Sequence, residues 1–418
     1  MRTMATNAPL QLRKEMHIGS FMDVIFLDLI RRFNPEIEIL IQWNALGKFR
    51  EKDQTDNTES FNQLFNKMSG LINDYCRQND IIHLVDDDQR IYKAILEIVS
   101  ELINKKIIQL KEYLSWYCES CDSYLGPVEQ DLKICKQCSS TLTQKTTTDL
   151  FIVVNKRAVL SLAQKLSFIP RRMSKKFLGV FSEMPTEFII TKSRLSGFSV
   201  DNIDAALKNK VLDPKFIYSL FPVLLEKIGL PKISTIVLGE DILGRYLYYL
   251  LANGQHLQNL ELKIIVHGML VSNGKKISKY GNFPEISNID KFLENYSWEH
   301  LKLLSVSANI GDNVDFAQKI SETSKLITKK KNVMIFLEQA LKQELVGDQE
   351  LSETEKKIFN HCEQLLIDLK QFELFNFYSN YRRLWFELLS RDYITELKNK
   401  LGSKTGLEKI INEVPLIF

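Results

Sequence analysis

Lys276 and Lys279 place two ammonium groups three residues apart, with Ser278 between them, shortly after an Asn273-Gly274 turn signal. A loop of that kind can close over a triphosphate. It can neutralise the charge that builds on a leaving pyrophosphate when the α-phosphorus is attacked. On its own the same string also describes a solvated basic hairpin tip. Upstream, the apolar run Ile233 to Leu238 ends in Gly239-Glu240-Asp241. A strand ending in a glycine and an acid is a common way to seat a ribose at the carboxyl edge of a sheet. Near the start, His17-Ile18-Gly19-Ser20 precedes a segment of helical period, Phe21 to Arg32. A helix opening there presents backbone N–H groups to a phosphate. His17 can add a hydrogen bond, although a single histidine is also a common structural residue. Ser20 can donate a hydrogen bond but carries no charge.

A second kind of chemistry sits in the four cysteines Cys118, Cys121, Cys135 and Cys138, spaced C-x2-C-x13-C-x2-C. That is near the spacing of four-thiolate zinc sites, where a tetrahedral ion is fully ligated and serves structure. Cys76 and Cys362 are isolated and read as core residues.

Taken in order, HIGS, GED and GKKISKYGN resemble the HIGH, G-x-D and KMSKS motifs of the class I aminoacyl-tRNA synthetases. The subgroup most similar is the leucyl and methionyl one, whose connective insertion carries a comparable zinc knob. The resemblance implies activation of an amino acid by ATP with Mg2+, followed by transfer to tRNA. It assigns His17, Ser20, Lys276 and Lys279 to the phosphates, with Gly19 and Ser278 beside them. Gly239 and Asp241 take the ribose, and His267 to Met269 border adenine. Trp43 and Asn44 face a leucine- or methionine-like substrate. The segment from Gln42 to Glu51 resembles GWDAFGLPAE, in which the aspartate holds the substrate ammonium; this chain has Asn44 there. The lysine loop is one residue shorter than the family pattern, and the re-entry motif ISRQRYWG has Ser196 in place of its tryptophan. Those departures leave two alternatives open. One is a paralogue that adenylates an unusual acid or amino acid for a non-tRNA acceptor. The other is a non-catalytic tRNA-binding relative.

The elements that must carry these residues follow from pattern. Leu10 to Leu12, Glu36 to Ile41, Ile233 to Gly239 and Leu262 to Val266 read as strands, the last of them a buried parallel one. Residues 58 to 114 read as mostly helical, and Thr148 to Ala163 as a strand and helix. Leu212 to Ile228 reads as a helix opened by Pro214, with Pro222 a possible kink. From about Phe316 onward the pattern is of long helices. The expected architecture is α/β: a Rossmann-like parallel-sheet catalytic domain with an inserted zinc-binding connective segment, then an all-α helical bundle. The expected bounds are 1–57 and 188–296 for the catalytic halves, 58–187 for the insertion and 297–418 for the bundle. Only about fifty residues separate Cys138 from Phe188, too few for an editing domain. In a parallel sheet the three nucleotide motifs are expected to converge beyond the strands' carboxyl ends.

Composition sets the outer limits. The 418 residues, 44% hydrophobic, support two or three globular domains, and a net charge of +3 permits a nucleic-acid partner without demanding one. No apolar run approaches the roughly 20 residues needed to span a membrane. The N-terminus lacks the apolar core of a signal peptide, and paired cysteines suit a reducing compartment, so a cytosolic protein is expected.

Overall fold

The structure, a computed structural model, describes residues 3–12, 15–45, 58–76, 81–86, 88–120, 123–128, 133–135, 139–193, 197–255, 260–277, 283, 286–343, 350–399 and 401–417. Its strands are β1 (Thr3–Asn7), β2 (Leu10–Gln11), β3 (Ile37–Asn44), β4 (Ile82–Val85), β5 (Ile108–Cys118) and β6 (Ser123–Pro127). They continue as β7 (Thr143–Val153), β8 (Ser167–Ile169), β9 (Glu187–Ile189), β10 (Thr191–Ser193) and β11 (Lys210–Leu212). The last five are β12 (Lys232–Gly239), β13 (Lys263–His267), β14 (Leu270–Ser272), β15 (Lys275–Lys276) and β16 (Val314–Asp315). The chain divides into two compact units, Met1–Lys14 with Pro35–Ile265, and Glu15–Asn34 with Val266–Phe418.

The first unit is built on a seven-stranded sheet in the order β2-β3-β1-β12-β13-β8, with β4 also paired to β3. The pairs of β3 with β1, β2 and β4, of β1 with β12, and of β13 with β8 are all parallel. Strands β12 and β13 are near-continuous apolar runs and are buried along most of their length, as a sheet covered on both faces requires. The expected strand at Leu10 to Leu12 is only a two-residue edge strand. The strand beside β12 is instead Thr3–Asn7, whose TMATN sequence hides its place. Its polar side chains are satisfied across the sheet. Thr6 Oγ1 donates to the Leu40 carbonyl at 2.8 Å, Gln42 Nε2 donates to Thr6 Oγ1 at 2.9 Å, and the Gln42 N–H donates to Asn7 Oδ1 at 3.0 Å. The expected helical stretch from 58 to 114 holds helices Thr58–Cys76 and Gln89–Asn104, but β4 separates them and β5 follows. Pro214 opens a helix as expected, and Pro222 starts a new short one instead of kinking the first.

This unit also holds a four-stranded sheet, β6-β5-β7-β9, and the β10-β11 pair. A charged network is buried on it. Lys210 Nζ lies 3.0 Å from Asp149 Oδ2 and donates to Thr147 Oγ1 at 2.9 Å. The Tyr113 and Thr191 hydroxyls donate to the same carboxylate at 2.9 and 2.7 Å.

The second unit begins with helix α1 (Ile18–Phe33), whose last turn carries Arg31 and Arg32, favourable at a helix C-terminus. After the small sheet β15-β14-β16 come helices Ile289–Asn295, Trp298–Ser305, Phe316–Lys342, Glu353–Lys370 and Leu374–Arg383. The last of these runs through a π-helical stretch, Leu384–Tyr393, into Ile394–Lys398, and Lys404–Glu413 follows. Ser352 and Glu355 form a capping box, the signature carried by the string Ser352-Glu353-Thr354-Glu355. Glu355 is fully buried and sits among donors alone. The Ser352 N–H and Ser403 hydroxyl donate to Oε2 at 2.8 and 2.7 Å, and the Tyr393 hydroxyl and Ser403 N–H donate to Oε1 at 2.7 and 2.9 Å. A Cβ at Gly406 would lie 2.3 Å from the Glu355 carboxyl carbon, so this helix approaches the carboxylate as closely as only glycine allows.

Candidate functional site

In the first unit, β3 ends at Asn44 and β12 at Gly239, two strands apart with β1 between them and all parallel. Both termini therefore lie at one carboxyl edge, roughly 10 Å apart across the sheet. Gly239 is buried, Glu240 pairs with Lys176, and Asp241 is exposed. The Trp43 ring is completely buried behind this edge. Its indole N–H donates to His83 Nδ1 at 3.1 Å, and Phe65 meets it edge-on at 5.9 Å. Burial lowers the His83 pKa to about 4. The ring is thus neutral near pH 7, with Nδ1 as acceptor and Nε2 carrying the proton toward Asn73 Oδ1 at 3.2 Å. Side chains alternate along a strand, so Asn44 leaves β3 on the face opposite Trp43. Asn44 Oδ1 is buried and meets no hydrogen-bond donor among the described residues.

Asp86, immediately after β4, was not marked by any sequence motif. Its N–H donates to the Trp43 carbonyl at 3.1 Å, and its Oδ1 accepts from the Ala45 N–H at 2.7 Å. The signal that could have found it is an apolar run closing on Asp86, the same strand-then-acid pattern read at Gly239.

In the second unit, His17 is the N-cap of α1. Its Nδ1 accepts from the Gly19 N–H at 3.0 Å, and its carbonyl accepts from Ser20 N–H at 3.0 Å. His17 and Ser20 are both half-buried. The loop before α1 is held to a second segment by Ile18 N–H donating to the Ser287 carbonyl and by a bridge between His17 and Asn288. His267 is buried against α1. Its Nε2 is 2.7 Å from Asp23 Oδ1, its Nδ1 is 2.7 Å from the Gly268 carbonyl, and its ring stacks on Phe26. A Cβ at Gly268 would lie 2.0 Å from the Asp312 carbonyl oxygen, which fixes that position as glycine. The Met269 N–H donates to Asn313 Oδ1 at 2.9 Å, and its carbonyl accepts from Val314 N–H at 2.9 Å.

The turn Asn273-Gly274 has positive φ at both residues, 49° and 72°, the hairpin geometry its sequence demands. It places Lys275 and Lys276 on the exposed strand β15, and Ile277 returns to the core. Asp315 accepts from the N–H groups of Asn273 and Gly274 at 3.2 and 3.0 Å, and also caps the helix Phe316–Lys342. Ser278 and Lys279 lie outside the described residues.

Cys118 and Cys135 share one buried cluster with Leu142, against which Trp116 packs. Ser139, at φ 61°, donates its N–H to the Cys135 carbonyl at 2.8 Å. Cys121 and Cys138 lie outside the described residues, and no group of three metal-ligating side chains occurs among those described. An open groove of about 620 Å³ runs along the helix Phe316–Lys342, lined by Tyr296, Ile320, Ser321, Ser324, Lys325, Thr328, Lys329, Asn332 and Phe386. Lys329 Nζ and the Arg382 guanidinium lie 5.9 and 5.7 Å from the Phe386 ring centre.

No protein-family model and no curated protein matches the sequence. Solved structures do match in fold. Mycobacterium tuberculosis methionyl-tRNA synthetase in complex with methionyl-adenylate superposes with a TM-score of 0.73 at 13% identity, covering 99% of this chain and 90% of that one. A second structure of that enzyme bound by methionyl-adenylate gives 0.71 at 12%, covering 100% and 91%, and its apo form gives 0.66 at 12%, covering 99% and 88%. At these identities the likeness shows the fold: a parallel-sheet α/β region with a helical C-terminal region. Among the described residues no helix is long and apolar enough to cross a membrane.

Proposed function

We propose that this chain is a cytosolic aminoacyl-tRNA synthetase-like ligase that activates a methionine- or leucine-like amino acid with ATP and passes it to tRNA. The observation that carries this is the pairing of two features in a chain of that fold. One is a histidine-capped, glycine-containing helix start; the other is a lysine hairpin whose Ile277 is buried while Lys275 and Lys276 stay exposed. The N–H groups at the start of α1, with His17 and Ser20, suit phosphate oxygens. Lys276 and Lys279 supply charge to the leaving pyrophosphate, and Mg2+ accompanies the ATP. Gly239 and Asp241 take the ribose, His267 to Met269 border adenine, and Asn44 meets the acyl substrate while Trp43 stiffens the strand end behind it. No protein nucleophile is required, because positioning and charge stabilisation supply the catalysis. The groove on the helical unit offers ammonium groups beside aromatic rings, which is what a single-stranded nucleic acid needs.

Cys118, Cys121, Cys135 and Cys138 would hold a structural zinc ion within the insertion at 58–187. Two of these thiols are already gathered in one buried cluster. An ion with four thiolates closes its coordination sphere and stabilises the fold.

Amino-acid-dependent exchange of pyrophosphate into ATP tests the activation step. Lys276→Ala is expected to slow it about 10²- to 10³-fold with the fold intact. Absence of exchange with all twenty amino acids overturns the reading, and exchange without tRNA charging moves the acceptor elsewhere. For the metal, one zinc per chain is expected, lost in Cys135→Ser; equal zinc content in the two proteins removes that assignment.

A further inference from the structure

We propose that Asp315 is a positioning residue for the activation step, its carboxylate locking the turn that holds Lys276 in place. This rests on the amino-acid activation reading above and names a residue that governs how the lysine hairpin serves it.

The hairpin is short. Strand β15 has two residues, with Val271 paired to Lys276 and Ser272 to Lys275. A two-stranded hairpin of that length does not hold its shape alone in water. Its base is fixed by Ile277, which is 1% exposed and whose N–H donates to the Leu270 carbonyl at 3.2 Å. Its tip is the exposed turn Asn273-Gly274. Successive backbone N–H groups in a turn make a concavity that takes an anion. The Asp315 carboxylate fills this one. Oδ1 accepts from Asn273 at 3.2 Å and Oδ2 from Gly274 at 3.0 Å.

Asp315 is also the N-cap of the helix Phe316–Lys342, an ordinary structural role. The distances put the turn first. The cap bond from the Gln318 N–H to Oδ1 is 3.4 Å, outside the usual range of about 2.7–3.2 Å, and both turn bonds lie within it. The residues before Asp315 run along the same hairpin. Strand β16 pairs Val314 with Leu270 and Asp315 with Val271. Asn313 Oδ1 accepts from the Met269 N–H at 2.9 Å, and the Asp312 backbone lies against Gly268. The segment thus follows β14 toward the turn, and Asp315 supplies the side-chain bonds at the tip.

A lysine that neutralises charge on departing pyrophosphate contributes most in the transition state. Misplacing it slows turnover and leaves ground-state ATP affinity nearly unchanged. Loss of a helix cap lowers stability and makes no such distinction.

The test measures amino-acid-dependent pyrophosphate exchange by the full chain. Asp315→Ser keeps a good N-cap but has one oxygen where the carboxylate uses two. It is expected to lower kcat about 10- to 30-fold with KM for ATP within about twofold. In a Lys276→Ala background the same substitution should change kcat by less than about twofold, because the lysine through which Asp315 acts is gone. Amide hydrogen exchange reads the geometry without activity. The Asn273 and Gly274 N–H groups should exchange about tenfold faster or more in Asp315→Ser. If that variant does not fold, Asp315→Asn decides. It keeps the length and the cap but turns an amide NH2 toward a turn N–H, for an expected kcat loss of about fivefold at unchanged KM. Unchanged kcat in the folded variant overturns the proposal. So do an equal loss with and without Lys276, a loss confined to KM, and unchanged exchange of the two amides. Each of these leaves amino-acid activation standing. A wild type that shows no exchange with any of the twenty amino acids overturns the activation reading and this proposal with it.

Discussion

Two fully buried carboxylates, one in each unit, are accommodated in opposite ways. Asp149, on the four-stranded sheet, is matched by a buried lysine, with Tyr113 and Thr191 completing its shell. Glu355, in the helical unit, meets two backbone N–H groups and two hydroxyls. The first solution fixes a charge pair and depends on both members. The second spreads one charge over four dipoles drawn from three separate stretches of helix and turn. It joins residues 352, 393 and 403 at a single point.

The same chemical change at both carboxylates separates the two. Asp149→Asn leaves Lys210 buried without its counter-charge and is expected to cost about 3–5 kcal/mol, read as a drop in the denaturant midpoint at unchanged slope. Glu355→Gln is expected to cost less, about 1–3 kcal/mol, because it strands no opposite charge. Its amide nitrogen must face a fixed backbone N–H whichever way it turns, so one donor goes unmet. Equal losses at the two sites would mean that the lysine adds nothing beyond a hydrogen bond.

The same contrast explains what the sequence made legible. The strands β12 and β13, helix α1, the Asn273-Gly274 turn and the helices after Phe316 are written in local pattern: apolar runs, helical spacing and turn residues. Strand β1 is not, because Thr6 and Asn7 look like loop residues until their partners at Leu40 and Gln42, more than thirty residues away, are in place. Strand β5 is hidden because its first residues, Ile108 to Leu114, fall at the end of the 58 to 114 stretch whose pattern reads as mostly helical. Of the candidate residues, His17 and Lys276 in the second unit and Gly239 in the first stand out by motif. Asp86 does not, since its relation to Asn44 comes from strand pairing and not from spacing. The His267–Asp23 contact is likewise a matter of 244 residues of separation, which no local pattern encodes.

Asp315 has a consequence of its own. One carboxylate restrains the hairpin turn beside Lys275 and Lys276 and starts a helix of 27 residues. Such a helix is about 40 Å long. A shift of the turn that swivels its first residues by a few degrees therefore moves its far end by several ångströms. Asp315 therefore ties the placement of the lysine-bearing turn to the direction in which the long helix sets out.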